Sequence, residues 1–280
     1  MLTGRSRVAG VMGWPVGHSR SPRLHGYWIR QYGIDGAYIP LPVRPENFES
    51  ALRALPKLGF AGANVTVPHK EAALAGVDRA DPQARRIGAA NTIVVAADGT
   101  LEGRNTDAFG FLENLRGSIV NWRAAAGPAV IVGAGGAARA IAVALMDAGA
   151  PALRLVNRTV ERAERLARDV GGPVQVYRWT DRVPALADAA LLVNTTTLGM
   201  TGQPPLDLDL KGLPTTAVVN DVVYVPLETP LLAAARARGN RAVDGLGMLL
   251  HQARPGFAAW FGVEPEVTPE LRRFVLDMPS

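Results

Sequence analysis

The chain has 280 residues, of which 48% are hydrophobic and 20% are charged, and it contains no cysteine. The lack of cysteine excludes disulfides, thiolate nucleophiles and sulfur-ligated zinc, so any redox chemistry needs a cofactor. Apolar runs such as AVIV and ALLV are too short to cross a bilayer, and the segment MLTGRSRVAGVMG has no signal-peptide pattern. We therefore predict a cytoplasmic protein, and the length favours two domains.

The first predicted domain, residues 1–109, alternates strands and helices irregularly. RVAGVMG, GAYIPLPV and GANVTVP are strand-like, and helices are predicted at about 21–33 and 45–58. NTIVVAADGTLEGRNTD then predicts a hairpin that turns at Asp98-Gly99. This pattern indicates a mixed-sheet α/β domain.

Two serines follow the first predicted strand, in the segment GHSRSPRLHG. Ser21 precedes Pro22, which fits a helix N-cap with proline at the first helical position. Ser19 has no such structural role. Because two hydroxyls beside a helix N-terminus can hold a carboxylate, Ser19 and Ser21 are candidates for binding an anionic substrate.

A lysine follows the third predicted strand, in the segment NVTVPHK. The 30 basic residues include only three lysines, and a lysine amine, unlike a guanidinium, can move a proton. Asn64 and Thr66 share one strand face, and Pro68 ends the strand, so both side chains can converge with Lys70 on one ligand. The alternative is that Lys70 is a solvated surface charge.

Two further polar residues lie near the ends of the predicted hairpin. They are Asn91, in AANTI, and Asp107, in GRNTDAFG. Asp107 either joins the same site or caps the helix that begins with AFGFLENL.

The second predicted domain, residues 110–245, has a more regular pattern. PAVIVGAGGAARAIAVALMDAG predicts a strand, a glycine turn and a helix, and ALRLVNRT, VQVYRW, AALLVNTT and TAVVNDVVY predict further strands. Strands that alternate with helices indicate a doubly wound parallel sheet of the Rossmann type. The helices of residues 246–280 either complete this domain or, as we expect, pack back on the first one. A small-molecule site is expected in the cleft between the two domains.

The second domain carries two signals of a dinucleotide. Gly133, Gly135 and Gly136 lie between a strand and a helix, where they permit a tight turn that presents backbone N–H groups to a pyrophosphate. The alternative is a turn that merely lets the helix pack closely. The next strand ends in VNRT, where Arg158 replaces the acid typical of NAD sites and favours NADP. Alternatively, Thr159 only caps the following helix and Arg158 is solvated.

The segments GHSRSP, NVTVPHK, AANTI, GRNTDAFGF, GAGGAARA, VNRT, NTTTLGM and DGLGMLLHQA, in this order, resemble the shikimate dehydrogenase family over nearly the whole chain. The resemblance implies NADP-dependent reduction of 3-dehydroshikimate to shikimate, a step in chorismate and aromatic amino-acid biosynthesis. It implies Lys70 and Asp107 as the catalytic pair. The substrate site would comprise Ser19 and Ser21 for the carboxylate, with Asn64, Thr66, Asn91, Tyr224 and Gln252. The cofactor site would comprise Gly133, Ala134, Gly135, Gly136, Ala137, Asn157, Arg158, Thr159, Thr195, Gly245 and Met248.

Other functions remain open at this point. A quinate/shikimate dehydrogenase that uses NAD tends to have an acid in place of the VNRT arginine and a threonine in place of the second serine, so Arg158 and Ser21 argue against it. A non-catalytic sensor of shikimate or NADP is disfavoured by the Lys70 and Asp107 pair. The net charge of +5 suggests nucleic acid, but the arginines form no basic block. We expect a small-molecule substrate, no metal, no nucleic acid, no membrane, and a monomer or homodimer.

Overall fold

The computed structural model describes residues 2–277, which form two compact α/β units. One unit comprises the chain up to Asp107 together with the segment from Leu249 onward, and the other comprises Ala108–Met248. The sequence placed the boundaries after residues 109 and 245. Both observed boundaries fall inside continuous helices, α5 (Asp107–Ser118) and α9 (Leu246–Phe261), which no linker composition marks.

The first unit is built on a six-stranded mixed sheet with the strand order β2-β1-β3-β5-β6-β4. Strand β1 pairs in parallel with β2 and β3, whereas β5 is antiparallel to β3 and β6. The sequence did not predict β4, because two residues carry no periodicity. The strands are β1 (Arg7–Gly13), β2 (Gly36–Pro42), β3 (Phe60–Val65), β4 (Arg79–Ala80), β5 (Thr92–Val95) and β6 (Leu101–Arg104). The helices that lie wholly within this unit are α1 (Ser21–Gln31), α2 (Phe48–Ala54), α3 (Lys70–Gly76), α4 (Pro82–Ile87) and α10 (Pro269–Leu276).

The carboxyl-terminal part of α9 packs tightly on the sheet of the first unit. The Nε1 of Trp260 donates a hydrogen bond to the carbonyl of Ile93 at 2.9 Å. A Cβ on Gly62, whose φ is +153°, would lie 2.1 Å from that carbonyl oxygen and 2.2 Å from the Trp260 Nε1. Only glycine fits this position, because a side chain would push α9 away from the sheet. Residues beyond 249 therefore fold with the amino-terminal strands.

The second unit contains a six-stranded parallel sheet with the order β12-β11-β10-β7-β8-β9. The order reverses between β7 and β10, which is the switch point where doubly wound sheets bind ligands. This confirms the predicted Rossmann-type architecture, although the three-residue β12 was not predicted. The strands are β7 (Ala129–Val132), β8 (Leu153–Asn157), β9 (Val174–Arg178), β10 (Leu191–Asn194), β11 (Val218–Asp221) and β12 (Arg241–Val243), and the helices that lie wholly within the unit are α6 (Gly136–Asp147), α7 (Val160–Val170) and α8 (Pro230–Ala237).

The helices of the second unit bury faces that follow their sequence patterns. Helix α7 buries Ala163, Leu166 and Val170 and leaves most of its charged residues exposed. Helix α6, rich in alanine, is buried along most of its length against the sheet. Among the helices within residues 2–277, none is both long and apolar enough to traverse a lipid bilayer.

Candidate active site

Lys70 and Asp107 form an ion pair in the first unit. Lys70 is the first residue of α3 and Asp107 the first residue of α5. The Lys70 Nζ donates a hydrogen bond to Asp107 Oδ2, and the two side chains are only 17% and 6% exposed. The carboxylate thus holds the ammonium group in place while part of the lysine side chain stays accessible. A charged amine in this position can give a proton to an oxygen that approaches it.

Asn91 holds the other oxygen of Asp107. The Asn91 Nδ2 donates to Asp107 Oδ1 at 2.9 Å and also lies 3.2 Å from the Oε1 of Gln252. The Asn91 Oδ1 accepts from the backbone N–H of Thr106 at 2.9 Å, which fixes the orientation of the amide. Both carboxylate oxygens of Asp107 are therefore bound by side chains. These hydrogen bonds do not cap α5, which was the alternative role that the sequence left open for Asp107.

The backbone around Asp107 and Lys70 is fixed by neighbours. Asn105 Oδ1 accepts from the N–H of Asp107 at 3.0 Å, and Asn105 Nδ2 donates to the carbonyl of Ala89 at 2.8 Å. His69, just before Lys70, stacks on Phe48 at 4.4 Å between ring centroids. These contacts set the directions in which α5 and α3 begin.

Asn64 lies on β3, beside the Asn91 segment. Its Nδ2 donates to the Asn91 carbonyl and to Thr92 Oγ1, both at 3.2 Å, and its Oδ1 accepts from the Tyr38 hydroxyl at 2.6 Å. Thr66 follows β3, and its backbone N–H donates to the carbonyl of Met12 at 2.9 Å. Hydrogen bonds thus link Asn64, Asn91, Asp107, Lys70 and Gln252 within one unit.

Ser21 is not the helix N-cap that the sequence suggested. Helix α1 begins at Ser21, Arg20 holds the N-cap position, and the backbone N–H of Ser21 donates to the Oγ of Ser19 at 3.3 Å. The preceding serine therefore supports the helix start, and the buried Ser21 side chain is free of a capping role. Pro22 is compatible with either register, because proline is accepted throughout the first turn.

The glycine turn of the second unit lies at the switch point of the sheet. Gly133 has a φ of +117°, and a Cβ there would lie 2.4 Å from Thr195 Oγ1, which itself donates to the Val132 carbonyl at 2.7 Å. A Cβ on Gly135, by contrast, would meet nothing within 4 Å. Gly135 is also the N-cap of α6, and no side chain caps that helix. Within the described residues, the helix start therefore has open space beside it and backbone N–H groups that no side chain caps, which suits a pyrophosphate that approaches the backbone.

The VNRT segment ends β8 at the same edge of the sheet. The Asn157 Nδ2 donates to the Thr159 carbonyl at 2.7 Å. Thr159 occupies the N-cap position of α7, but its side chain makes no capping hydrogen bond. Arg158 is exposed, and within the described part of the chain its guanidinium pairs with no acid. The segment thus offers a free cation and no carboxylate.

The other candidate residues of the second unit lie in loops beside its sheet, in the first turn of α6 or at the start of α9. Tyr224 follows β11 and is half-buried. Gly245 precedes α9, and a Cβ there would lie 2.2 Å from the Val222 carbonyl oxygen. Met248 is buried. Ala134 and Ala137 belong to the glycine turn and the first turn of α6.

Asp221 is a buried carboxyl that ends β11, the strand next to β10. It accepts hydrogen bonds from Asn194 Nδ2 and the Val223 N–H, both at 3.0 Å, and from Thr229 Oγ1 at 2.7 Å. Burial raises the pKa of Asp221 from 3.8 to about 6, and the three hydrogen bonds oppose this rise. The Asp221 carboxyl therefore connects the end of β10 with the loop that follows β11.

The pKa of Asp221 predicts how stability depends on pH. Because the folded-state pKa lies above the unfolded one, the carboxyl stabilises the fold most below pH 4, and this contribution is lost as the pH rises through 6. Between pH 4.5 and 7 the loss is about 2 kcal/mol. The melting temperature of the unmodified protein, relative to Asp221→Asn, should fall by several degrees over this range. A difference in melting temperature between the two proteins that stayed constant over this pH range would mean that Asp221 is ionised throughout it.

Two family models match the chain. The shikimate dehydrogenase substrate binding domain matches residues 11–93, and shikimate / quinate 5-dehydrogenase matches residues 118–199. The shikimate dehydrogenase (NADP(+)) of Paramagnetospirillum magneticum is 66% identical over 275 residues, which cover 98% of this chain and 100% of the relative. The chain belongs to the shikimate dehydrogenase family.

Solved structures of this family share the fold described above. Shikimate 5-dehydrogenase from Thermus thermophilus, in complex with NADP(H) and shikimate, is 36% identical, with a TM-score of 0.85 and coverage of 96% of this chain and 98% of that chain. Quinate dehydrogenase from Corynebacterium glutamicum, in complex with NAD, is 33% identical, with a TM-score of 0.89 and coverage of 98% and 99%. The fold is thus shared by enzymes that differ in substrate and cofactor.

Sequence reasoning did not identify the residues that support the site. Tyr38, Asn105 and Thr106 are buried polar residues that bind the candidate substrate and catalytic side chains. Asn105 and Thr106 directly precede Asp107, and a run of three polar residues before a helix is a signal that could have found them. Tyr38 carries no such signal, because its partner Asn64 is 26 positions away.

Proposed function

We propose that this protein catalyses the reversible, NADP-dependent reduction of 3-dehydroshikimate to shikimate, with Lys70 and Asp107 as its catalytic pair. The observation that carries the assignment of these residues is the shielded ion pair between them, held from the other side by Asn91. Membership of the family supports the reaction, and the NADP(+) relative at 66% identity supports the cofactor.

The proton step belongs to Lys70. When NADP(H) is bound, it supplies or accepts the hydride at the ring carbon, and a proton must then reach or leave the oxygen on that carbon. The ammonium of Lys70 donates that proton in the reduction and the amine takes it back in the oxidation. Asp107 orients the amine, because its carboxylate accepts a hydrogen bond from the Lys70 Nζ.

The remaining polar residues of the first unit would bind the substrate. We assign the ring carboxylate to Ser19 and Ser21, whose hydroxyls lie at the start of α1, where the helix dipole favours an anion. We assign the binding of the ring hydroxyls to four side chains that together offer donors and acceptors, those of Asn64, Thr66, Asn91 and Gln252. Tyr224 of the second unit is proposed to contact the substrate as well.

The second unit would hold NADP. Gly133, Gly135 and the N-terminus of α6 suit the pyrophosphate, because the helix is uncapped and the space beside Gly135 is open. Arg158 and its neighbours suit the 2′-phosphate, because a guanidinium forms bidentate hydrogen bonds with phosphate. The other cofactor contacts are assigned to Ala134, Gly136, Ala137, Asn157, Thr159, Thr195, Gly245 and Met248.

Arg158→Ala should raise the KM for NADP by roughly five- to tenfold and leave the KM for NAD within about twofold. The effect is moderate because the arginine is exposed to solvent. Initial rates with each cofactor at saturating shikimate provide the measurement. Arg162→Ala, another exposed arginine one turn further along α7, shows whether the effect is local. An equal rise for both cofactors would show that Arg158 acts by packing or stacking alone.

The decisive experiment compares two pairs of substrates. Absorbance at the nicotinamide band is recorded with shikimate and NADP, and then with quinate and NAD. We expect turnover with the first pair and little with the second. Efficient turnover of quinate with NAD would favour the alternative, a quinate/shikimate dehydrogenase. Binding of shikimate without turnover of either pair would identify a non-catalytic sensor.

We further propose that the protein works in the cytoplasm as a monomer or homodimer. Both the proposed substrate and the proposed cofactor are soluble metabolites, which supports this location.

A further inference from the structure

We propose that Tyr38 is a positioning residue for substrate binding: its hydroxyl fixes the Asn64 side-chain amide so that Asn64 offers one oxygen lone pair to a ring hydroxyl. This inference rests on the proposed function and assigns a role to a residue that does not itself touch the substrate.

The hydrogen bonds of Asn64 leave it little freedom. A carboxamide has two N–H donors and two acceptor lone pairs. Both donors are used within the protein, on the Asn91 carbonyl and on Thr92 Oγ1, each at 3.2 Å. One lone pair of Oδ1 accepts from the Tyr38 hydroxyl at 2.6 Å. Within the described part of the chain, these three hydrogen bonds leave the second lone pair of Oδ1 for a ligand, so Asn64 acts toward a ligand as an acceptor.

The orientation of this amide depends on Tyr38. The Asn91 carbonyl can only accept, so Nδ2 must face it, and a flipped amide would set two oxygens against each other. On the opposite side, the Tyr38 hydroxyl donates to Oδ1 at 2.6 Å, a shorter hydrogen bond than the two that Nδ2 makes. Without that hydroxyl, Oδ1 loses its fixed donor, and the amide can tilt away from the direction that a substrate hydroxyl needs.

Tyr38 is itself held rigidly. Its ring stacks on the His25 ring, with 4.0 Å between the centroids and 7° between the planes. The Trp260 ring lies 5.9 Å away on α9. Burial raises the pKa of Tyr38 well above 10, with the Ser21 side chain opposing the rise, so the phenol keeps the proton that it donates.

His25 serves this arrangement as a flat, uncharged surface. The His25 side chain is fully buried, and within residues 2–277 neither ring nitrogen makes a hydrogen bond of good geometry. Burial lowers its pKa from 6.5 to about 3, which the nearby Asn64 side chain only partly offsets. Because the two rings stack nearly parallel, the in-plane lone pair of the neutral imidazole is not directed at the phenol hydroxyl and does not compete for its proton. That proton therefore goes to Asn64.

The role of Tyr38 predicts a split between affinity and turnover. Tyr38→Phe keeps the ring and its stack on His25 and removes only the hydroxyl. The KM for shikimate should rise about five- to tenfold, as expected for the loss of one buried hydrogen bond. The kcat and the KM for NADP should stay within about twofold, because the Tyr38 hydroxyl bonds to Asn64 and not to the Lys70 and Asp107 pair. Tyr32→Phe is the matched control, since Tyr32 in the same unit also loses a hydroxyl, one that accepts from the Glu266 N–H at 3.3 Å. It should leave all three constants unchanged.

A double-mutant cycle identifies the route of the effect. In an Asn64→Ser background, Tyr38→Phe should change the KM for shikimate by less than twofold, because the amide that it orients is gone. An unchanged KM in the single variant overturns the proposal, and so does an equal rise in both backgrounds, which would mean that Tyr38 acts independently of Asn64. Absence of shikimate turnover by the unmodified protein would instead overturn the proposed function.

Discussion

Replacing Lys70 by alanine is expected to lower kcat by about two to four orders of magnitude, the usual contribution of a general acid or base. The KM for shikimate should change much less, because the lysine acts on the reacting oxygen. Lys57→Ala is the matched control, since Lys57 is an exposed lysine of the same unit. Steady-state kinetics of both variants, with melting temperatures to verify folding, provide the measurement.

Lys70→Arg separates charge from proton transfer. Arginine keeps a positive charge that can pair with Asp107, but it does not release its proton in a protein. We therefore expect kcat to fall nearly as far as in Lys70→Ala. If Lys70→Arg retained turnover close to that of the unmodified protein, the positive charge alone would account for the role of this position, and the proton would have to come from elsewhere.

The parts of the fold that repeat a strong local pattern were predictable from the sequence. The strand, glycine turn and helix around Gly133 follow from an apolar run and a helical period, and both lie within about 20 residues of sequence. The two-residue β4 and the three-residue β12 were missed because such short segments carry no period. They form because neighbouring strands offer hydrogen-bond partners, which is tertiary information.

The candidate site shows the same limit. Residue type and position made Lys70 a candidate but left Asp107 between the site and a helix cap, and only the resemblance to the family implied the pair. The structure brings the two residues into contact across 37 positions. The N-cap prediction for Ser21 was wrong. A serine followed by proline fits either the N-cap and first helical position or the first two helical positions. The structure has the second arrangement, with the Ser21 N–H bonded to Ser19 Oγ. The sequence did not identify Tyr38 as a site residue, because an aromatic residue in a strand most often packs in a core.

A methyl group on Gly135 is expected to weaken NADP binding while the fold stays intact. A Cβ there meets nothing within 4 Å, and the backbone φ of −99° suits any residue. The protein itself therefore has no need of glycine at this position. If the pyrophosphate lies against this backbone, the methyl group of Gly135→Ala occupies its space, and the KM for NADP should rise roughly 10- to 100-fold, the cost of an overpacked contact. The melting temperature without cofactor and the KM for shikimate should barely change.

Gly133→Ala, two residues earlier in the chain, is expected to lower the stability of the protein itself. Its φ of +117° disfavours any side chain, and a Cβ would lie 2.4 Å from Thr195 Oγ1. Strain of about 1–3 kcal/mol should lower the melting temperature by several degrees even without cofactor. We thus expect the turn to require Gly133, and we propose that the ligand requires Gly135. A Gly135→Ala variant with an unchanged KM for NADP would contradict a pyrophosphate at the start of α6, because no atom of the described residues lies within 4 Å of the added methyl group.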